Sequence, residues 1–350
     1  MFHETTIYIY TKNCKMISKR TKIIAEVGPN HNGSLNEAKK YVDKLSKLNI
    51  DFIKFQVGSP DNVYSKDSFK SEYQKKFDKN SSIKKMSQKY HLSIKDHITL
   101  YKYCKKKGKN YLASFFDLES LKKLDSKVNL PYIKIPSGEI LSLDILNYIK
   151  NKNKKIIIST GMASLYEIKR TLKFFSKKKN IILLHCVSCY PAKDNTLNLN
   201  FMKTLQKLNK QIGFSDHTSD HIASIAAITL GADFIEKHVT LNKKKEGPDH
   251  HMSMSINEFK RFVNFIRRTE LVLGKNHKII GSEESKIKKV SRKSIVSKVN
   301  LPKNHIMKKE DICFKRPGTG ISPLNLHYVI GKKTKKKISI DRLIRKQDLK

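Results

Sequence analysis

The chain contains no tryptophan, only five cysteines and only nine arginines among its 350 residues. No apolar run approaches the roughly 18 residues needed to cross a bilayer, so no membrane span is expected. Five cysteines is an odd number, and they follow no spacing framework. That argues against a disulfide-stapled secreted domain and makes a reducing cytoplasm the expected compartment. The shortage of arginine bears on the charge. Lys and Arg total 72 against 31 Asp and Glu, a formal net charge of +41. Such a charge first suggests nucleic acid, an anionic membrane or a phosphorylated ligand. A surface that reads phosphates favours the bidentate fork of arginine and clusters its charge. Here lysine is spread from end to end, as a compositional bias of the source genome would leave it. The run Lys332-Lys333-Thr-Lys335-Lys336-Lys337 lacks interleaved aromatics or arginine and reads as a solvated face. We therefore expect no nucleic-acid partner and no membrane partner. A basic polyanion-binding protein is the competing class, and a steep salt dependence of binding would reveal it.

What is present is a repeating pattern on a chain long enough for about two domains. Residues 1–20 (MFHETTIYIYTKNCKMISKR) carry an early Glu and a short apolar patch. They read as an N-terminal extension and not a signal peptide, with Met16 as an alternative start. Eight short β-branched runs follow: Ile23–Val27, Phe52–Val57, Tyr111–Phe116, Tyr132–Pro136, Ile156–Ser159, Ile181–Cys186, Ile212–Ser215 and Phe234–His238. Segments of helical periodicity separate them. Three open with Ser-x-x-Glu capping signatures, at Ser34–Glu37, Ser164–Glu167 and Ser255–Glu258. Eight strand–helix units over about 250 residues predict a closed (β/α)8 TIM barrel across 21–274, with a doubly wound sheet as the competitor. The stretch from Ser59 to about Ile94 is longer than an ordinary connection and reads as a lid or binding loop. Residues 275–290 read as a linker, and 291–350 as a small β-rich domain near the size at which a lone core is marginal.

In such a barrel the chemistry gathers at the C-terminal ends of the strands. Those ends carry Glu26, Lys54 and Gln56, Ser114, Lys134 with Ser137 and Glu139, Ser159, Ser188 and Tyr190, Ser215 with His217, and Glu236 with His238. His217 and His238 close adjacent strands and are the candidate metal ligands, with open positions left for a substrate oxygen. Two unrelated histidines bonded to backbone are the plain alternative. Lys54 and Lys134 interrupt apolar runs (Phe-Ile-Lys-Phe and Tyr-Ile-Lys-Ile), where an unpaired charge is costly. With Ser137, Ser159 and Ser215 they would cradle one small phosphorylated anion. Glu26 and Glu236 are candidate base and metal partner, with structural roles open for both. Cys186-x-x-Cys189 lacks a second pair and reads as two small buried hydrophobes.

These residues resemble the sialic acid synthase (N-acetylneuraminate synthase) family. The similarity is carried by Ala25-Glu26-Val-Gly-Pro-Asn-His-Asn-Gly33, Lys54-Phe-Gln56, Lys134-Ile-Pro-Ser-Gly-Glu139, Ser159-Thr-Gly-Met162, Gly213-Phe-Ser-Asp-His217, Glu236-Lys-His238 and Gly247-Pro-Asp-His250. Arg292-Lys-Ser-Ile-Val296 and Lys315-Arg-Pro-Gly-Thr-Gly-Ile-Ser322 resemble that family's C-terminal antifreeze-like (SAF) domain. The resemblance implies condensation of phosphoenolpyruvate with an open-chain N-acetylated amino sugar, giving a nine-carbon 2-keto acid and phosphate. It implies Mn²⁺ or Mg²⁺ on His217 and His238, polarising the sugar aldehyde for attack by carbon three of phosphoenolpyruvate. Metal-bound water would add to carbon two, with Glu26 positioning or deprotonating it. Lys54, Ser114, Lys134, Ser137, Ser159 and Ser215 match phosphoenolpyruvate positions, with Ser114 replacing a more usual Thr. Gln56, Tyr190 and Asp249 match sugar-contacting positions, and Glu139 and Ser188 join that set. Arg316 matches an arginine delivered to the partner subunit, which implies a domain-swapped homodimer. Phe115, Ser188 and Val57 depart from common family residues and leave the sugar open. N-acetylmannosamine is the default; a di-N-acetylated 6-deoxy sugar leading to legionaminic acid is the alternative, and pseudaminic acid ranks lower because its synthases carry a different first-strand motif. A related aldolase acting on a sugar phosphate is the enzymatic runner-up, but it would need a second basic pocket.

Overall fold

The computed structural model describes residues 20–78, 80–175 and 180–350, so all but the last residue of the expected N-terminal extension lies outside the described residues. The chain divides after Gly274 into two compact units. The first is built on eight parallel strands: β1 (Lys22–Glu26), β2 (Phe52–Val57), β3 (Asn110–Phe115), β4 (Tyr132–Ile135), β5 (Lys155–Ser159), β6 (Ile181–Cys186), β7 (Ile212–Asp216) and β8 (Phe234–Thr240). Each falls within two residues of its expected bounds. The strands pair in sequence order, and β1 pairs β8 with Ile24 opposite Glu236 and Glu26 opposite His238. That seam closes the barrel and removes the doubly wound alternative. A short β9 (Met254–Ser255) extends β8 and leads into the helix over Ile256–Leu273.

The strands read as nearly continuous apolar runs because both faces are buried. One set of alternate residues (Ile23, Ala25, Ile53, Phe55, Ile133, Ile158) packs outward under the helices. The other set (Ile24, Phe52, Leu112, Ile157, Ile182, Phe234) fills the barrel interior as a dry plug. β6 keeps an apolar residue, Leu184, at its next inward position; on the other seven strands, with a side-chain period of two, those positions are 26, 54, 114, 134, 159, 215 and 236. Every one of these is polar. The plug thus sets the depth at which the site begins.

The capping signatures at Ser164 and Ser255 form reciprocal boxes. At Ser34 only half a box forms. Its hydroxyl accepts from Glu37 N, but the Glu37 carboxylate turns to Lys40 (2.5 Å) and Lys245 (3.1 Å). The insertion after β2 folds into three short helices over Pro60–Val63, Glu72–Phe77 and Ile83–Lys89.

The second unit begins within the stretch read as a linker, which carries a helix over Ser282–Ser291. Beyond it, β10 (Ser294–Ser297) and β11 (Ile312–Lys315) pair antiparallel. A small core of Ile295, Leu301, Met307, Val329, Ile338 and Ile344 holds the unit together. Among the described residues no helix is long and apolar enough to cross a membrane.

Candidate active site

Above the apolar plug lies a layer of charges that neutralise one another. Lys54 reaches inward from β2 and is only 4 % exposed. Its Nζ donates to Ser114 Oγ (2.7 Å) and lies 3.0 Å from Glu26 Oε2 and 3.4 Å from Glu236 Oε1. Lys134, 1 % exposed, donates to Ser159 Oγ at 2.5 Å. Ser215 donates to Glu236 Oε1 (3.0 Å), and Gln56 Nε2 donates to Glu26 Oε1 (3.1 Å). Two buried lysines thus face two buried carboxylates, each supported by a neutral donor or acceptor from a neighbouring strand end. Without partners these charges would be prohibitively costly to bury.

The two carboxylates are driven apart in acidity. Burial pushes Glu26 up, only partly offset by Lys54. Burial acts on Glu236 too, but Lys134 and Lys54 outweigh it and bring that carboxyl down to about 2. Glu236 is therefore the anionic member of the pair, and Glu26 is the weaker acid of the two. Burial lowers Lys134 to about 8 against the pull of Glu236.

His217 and His238 meet at the β7–β8 side of the mouth, their rings 5.5 Å apart. Tyr190 packs against both, at 4.1 and 5.7 Å between ring centroids. His217 Nδ1–H donates to Val187 O (2.7 Å), and Cys186 Sγ lies 4.0 Å from Nε2. His238 is pushed well below the ordinary imidazole range by burial and by His217 and Lys54, so it is neutral. Its Nδ1 is buried, makes no hydrogen bond and sits 3.5 Å from Asp249 Oδ2. Burial, helped by Glu26, raises Asp249 to about 7. Among the described residues no three-ligand group of His, Cys, Asp and Glu is preassembled. The orphaned imidazole nitrogen, the second imidazole and the adjoining carboxylate fit a divalent cation with several positions left for other ligands.

These groups, Asp249 excepted, line a cleft of about 320 Å³, within the range of small-molecule sites. Ser137 and Ser188 line it as well, beside Gly161, whose N–H donates to Ser137 Oγ (3.1 Å). A side chain at Gly161 would strike Ser188 Oγ and Ser137 Oγ, so the glycine keeps both hydroxyls in place. Gly28 adopts φ +54°, and a Cβ there would press on Gln56 Nε2 and Glu26 Oε1, each at 3.3 Å. Glu139 is placed differently from the other expected contacts. It ends a tight turn begun at Ser137, its carboxylate accepts from Ser142 Oγ, and it does not line the cleft. Arg316 lies in the second unit, where it is exposed.

Sequence reasoning passed over Cys186 as a hydrophobe. The structure places its Sγ 3.7 Å from His217 Nδ1 and on the cleft wall, and Cys189 is exposed. Ser71 from the insertion, Phe116 and Met162 also line the cleft. The inward period of β6 could have flagged Cys186, but nothing local to Ser71 or Met162 marks them.

A closed parallel barrel with paired lysines, carboxylates and imidazoles at its C-terminal mouth defines a barrel enzyme that handles a small anion. Comparison with known proteins makes the family specific. The chain belongs to the NeuB family, the sialic acid synthases, matching it over residues 41–278, and it carries a SAF domain over 292–350. It is thus a synthase-type transferase. It is 41 % identical to the N,N'-diacetyllegionaminic acid synthase of Campylobacter jejuni, over 93 % of this chain and 99 % of that protein. It is 37 % identical to the protein of that name from Legionella pneumophila, over 91 % of each. Its fold is similar to the N-acetylneuraminic acid synthetase of Leptospira borgpetersenii, with a TM-score of 0.67 and 29 % identity over 77 % of this chain and 90 % of that one.

Proposed function

We propose that this enzyme condenses phosphoenolpyruvate with the open-chain form of a di-N-acetylated 6-deoxy amino sugar, yielding a legionaminic-acid-type nine-carbon 2-keto acid and phosphate. The observation that carries the reaction is the buried lysine–serine layer, two cations at the depth of the barrel mouth aimed at one small acid. The preference over N-acetylmannosamine, the default from sequence, is supported by the higher identity to the two legionaminic acid synthases than to the N-acetylneuraminic acid synthetase.

In this reading Lys134, Ser137 and Ser159 hold one anionic end of phosphoenolpyruvate, and Lys54 with Ser114 and Ser215 the other. Charge-assisted bonds from several strands fix the plane of the enol, so carbon three faces the sugar aldehyde. A divalent cation held by His217 and His238, with Asp249 adjoining, would supply Lewis acidity at the aldehyde oxygen. Carbon three bonds to the aldehyde carbon, water adds to carbon two, and the phosphate leaves with its bridging oxygen. Glu26 takes the proton of that water, a task suited to its raised pKa. Glu236 stays ionised and holds Ser215 and both lysines in register. Gln56 and Tyr190 orient the sugar hydroxyls, and Arg316 is contributed by a second copy of the chain.

The test is phosphate release from phosphoenolpyruvate across a panel of N-acetylated amino sugars, with and without chelator. Metal-dependent release, with the di-N-acetylated sugar preferred, is expected. No release with any N-acetylated sugar would sink the reading.

A further inference from the structure

Beside the cleft lies a second, smaller cavity of about 100 Å³ against the cleft's 320 Å³, and none of the roles assigned above uses it. Gln56 and Phe116 line both spaces and form the wall between them. The floor is the loop after β1, with Pro29 and His31; the roof is the insertion, with Val63, Tyr64, Ser87 and Tyr90. Gly58 lets the roof approach, because a Cβ there would meet Phe116 Cβ at 2.9 Å and Val63 Cγ2 at 3.4 Å.

The lining has a definite chemistry. Neither lysine, arginine, aspartate nor glutamate is part of it. That is unusual in a chain with 72 basic residues, and it makes the cavity unsuited to a phosphate or carboxylate. Apolar surface comes from Pro29, Val63 and the aromatic rings. Gln56, Ser87, His91 and His31 add polar groups, and of these four only His31 is buried. His31 is 2 % exposed, and its Nδ1 accepts from Gly33 N at 3.1 Å. The ring proton is therefore on Nε2, which has no partner among the described residues. Burial holds His31 near 4, so the ring is a neutral donor at pH 7.

A buried neutral N–H donor set in small apolar walls matches an amide: the carbonyl takes the hydrogen bond and the methyl takes the wall. The position matches too. In that reading the phosphoenolpyruvate groups come from β2 to β5 and from β7, the imidazoles close β7 and β8, and Gln56, which orients the sugar, lines both the cleft and this cavity. We propose that the cavity seats a neutral acylamino group at the far end of the amino sugar, so that the enzyme selects diacylamino over monoacylamino substrates. This rests on the reaction proposed above.

The test compares kcat/KM for N-acetylmannosamine and for the 2,4-diacetamido-2,4,6-trideoxy hexose of matching configuration, each with phosphoenolpyruvate and Mn²⁺. Wild type should favour the diacetamido sugar at least tenfold. Ser87→Leu fills the cavity from its roof, and the ratio should fall about tenfold or more, whereas Ser87→Ala should leave the ratio near wild type. His31→Gln, which removes the Nε2 donor, should lower the ratio as well, and gives a second reading if the leucine variant does not fold. An unchanged ratio in both Ser87→Leu and His31→Gln overturns the cavity assignment while the reaction stands. Failure of wild type with either sugar overturns the reaction and the assignment together.

Discussion

Glu26 and His238 are register partners across the β1–β8 ladder, the seam at which the barrel closes. A candidate base and a candidate metal ligand thus come from the first and last strands of the barrel, and neither is in place until the seam has formed. Lys54, on the next strand, then ties Glu26 to Glu236, two residues before His238 on β8. One pairing event assembles three of the site's chemical roles. Activity should therefore track closure of the whole barrel and not the presence of any one segment.

The imidazole pair gives the first prediction. His238→Ala should weaken Mn²⁺ binding at least 100-fold by calorimetry or by the Mn²⁺ spin-resonance signal, with far-UV dichroism unchanged. His217→Ala should behave alike. Chelator should abolish turnover by wild type, and added Mn²⁺ or Mg²⁺ should restore it. Unaltered Mn²⁺ affinity in both variants would remove these residues from the metal site.

Lys54 gives the second. Lys54→Met leaves Glu26 and Glu236 buried without their shared cation. Removing one partner of a buried ion pair costs about 3–5 kcal/mol. We expect a loss of that order in urea unfolding, together with at least a 100-fold fall in kcat/KM for phosphoenolpyruvate. Adding Glu26→Gln to Lys54→Met should recover more than about 1 kcal/mol of stability without recovering activity. Strict additivity of the two changes would show that the groups do not act as a unit.

Much of this architecture was legible in the sequence, for a physical reason. Parallel strands buried on both faces are written as short β-branched runs, and all eight were found within two residues. Inward polar residues such as Lys54 and Lys134 showed because they interrupt apolar runs. The half-formed box at Ser34 was not legible, because Lys245, distant in sequence, competes for the Glu37 carboxylate. The turn that takes Glu139 to Ser142 was hidden for the same reason: a carboxylate next to a strand end can serve a local serine as easily as a substrate. The second cavity was invisible altogether. It depends on how helices Pro60–Val63 and Ile83–Lys89 fold back over the loop after β1, a long-range contact with no local periodicity.

Lys134 gives the third prediction, a pH dependence. Burial lowers its ammonium from 10.5 to about 8. If the charged form binds phosphoenolpyruvate, kcat/KM should fall above pH about 8, with a limiting slope near one decade per unit. Lys134→Gln should lower the plateau and remove that limb. The stability effect has the opposite sign. Between about 8 and 10.5 the unfolded chain holds the proton that the folded chain has released. The contribution of Lys134 to stability therefore rises with pH across that window and is least favourable below it. Thermal unfolding of wild type and Lys134→Gln from pH 7 to 10 measures this directly.

The last prediction concerns Arg316 and the second copy of the chain that the resemblance implies. Arg316 is exposed in the second unit. If it completes the sugar site of a partner, Arg316→Ala and His217→Ala should each be inactive alone. Mixed, unfolded together and refolded, they should regain activity. A heterodimer has one site with both defects and one with neither, so it holds half the wild-type sites. Random pairing makes half of all dimers heterodimers, and recovery should approach a quarter of wild-type turnover. Were the arginine to serve its own barrel, every site in the mixture would carry one defect and no activity would return. Sedimentation at the assay concentration, run beside the mixing experiment, establishes that dimers are present to exchange. A monomer would reject the swap outright.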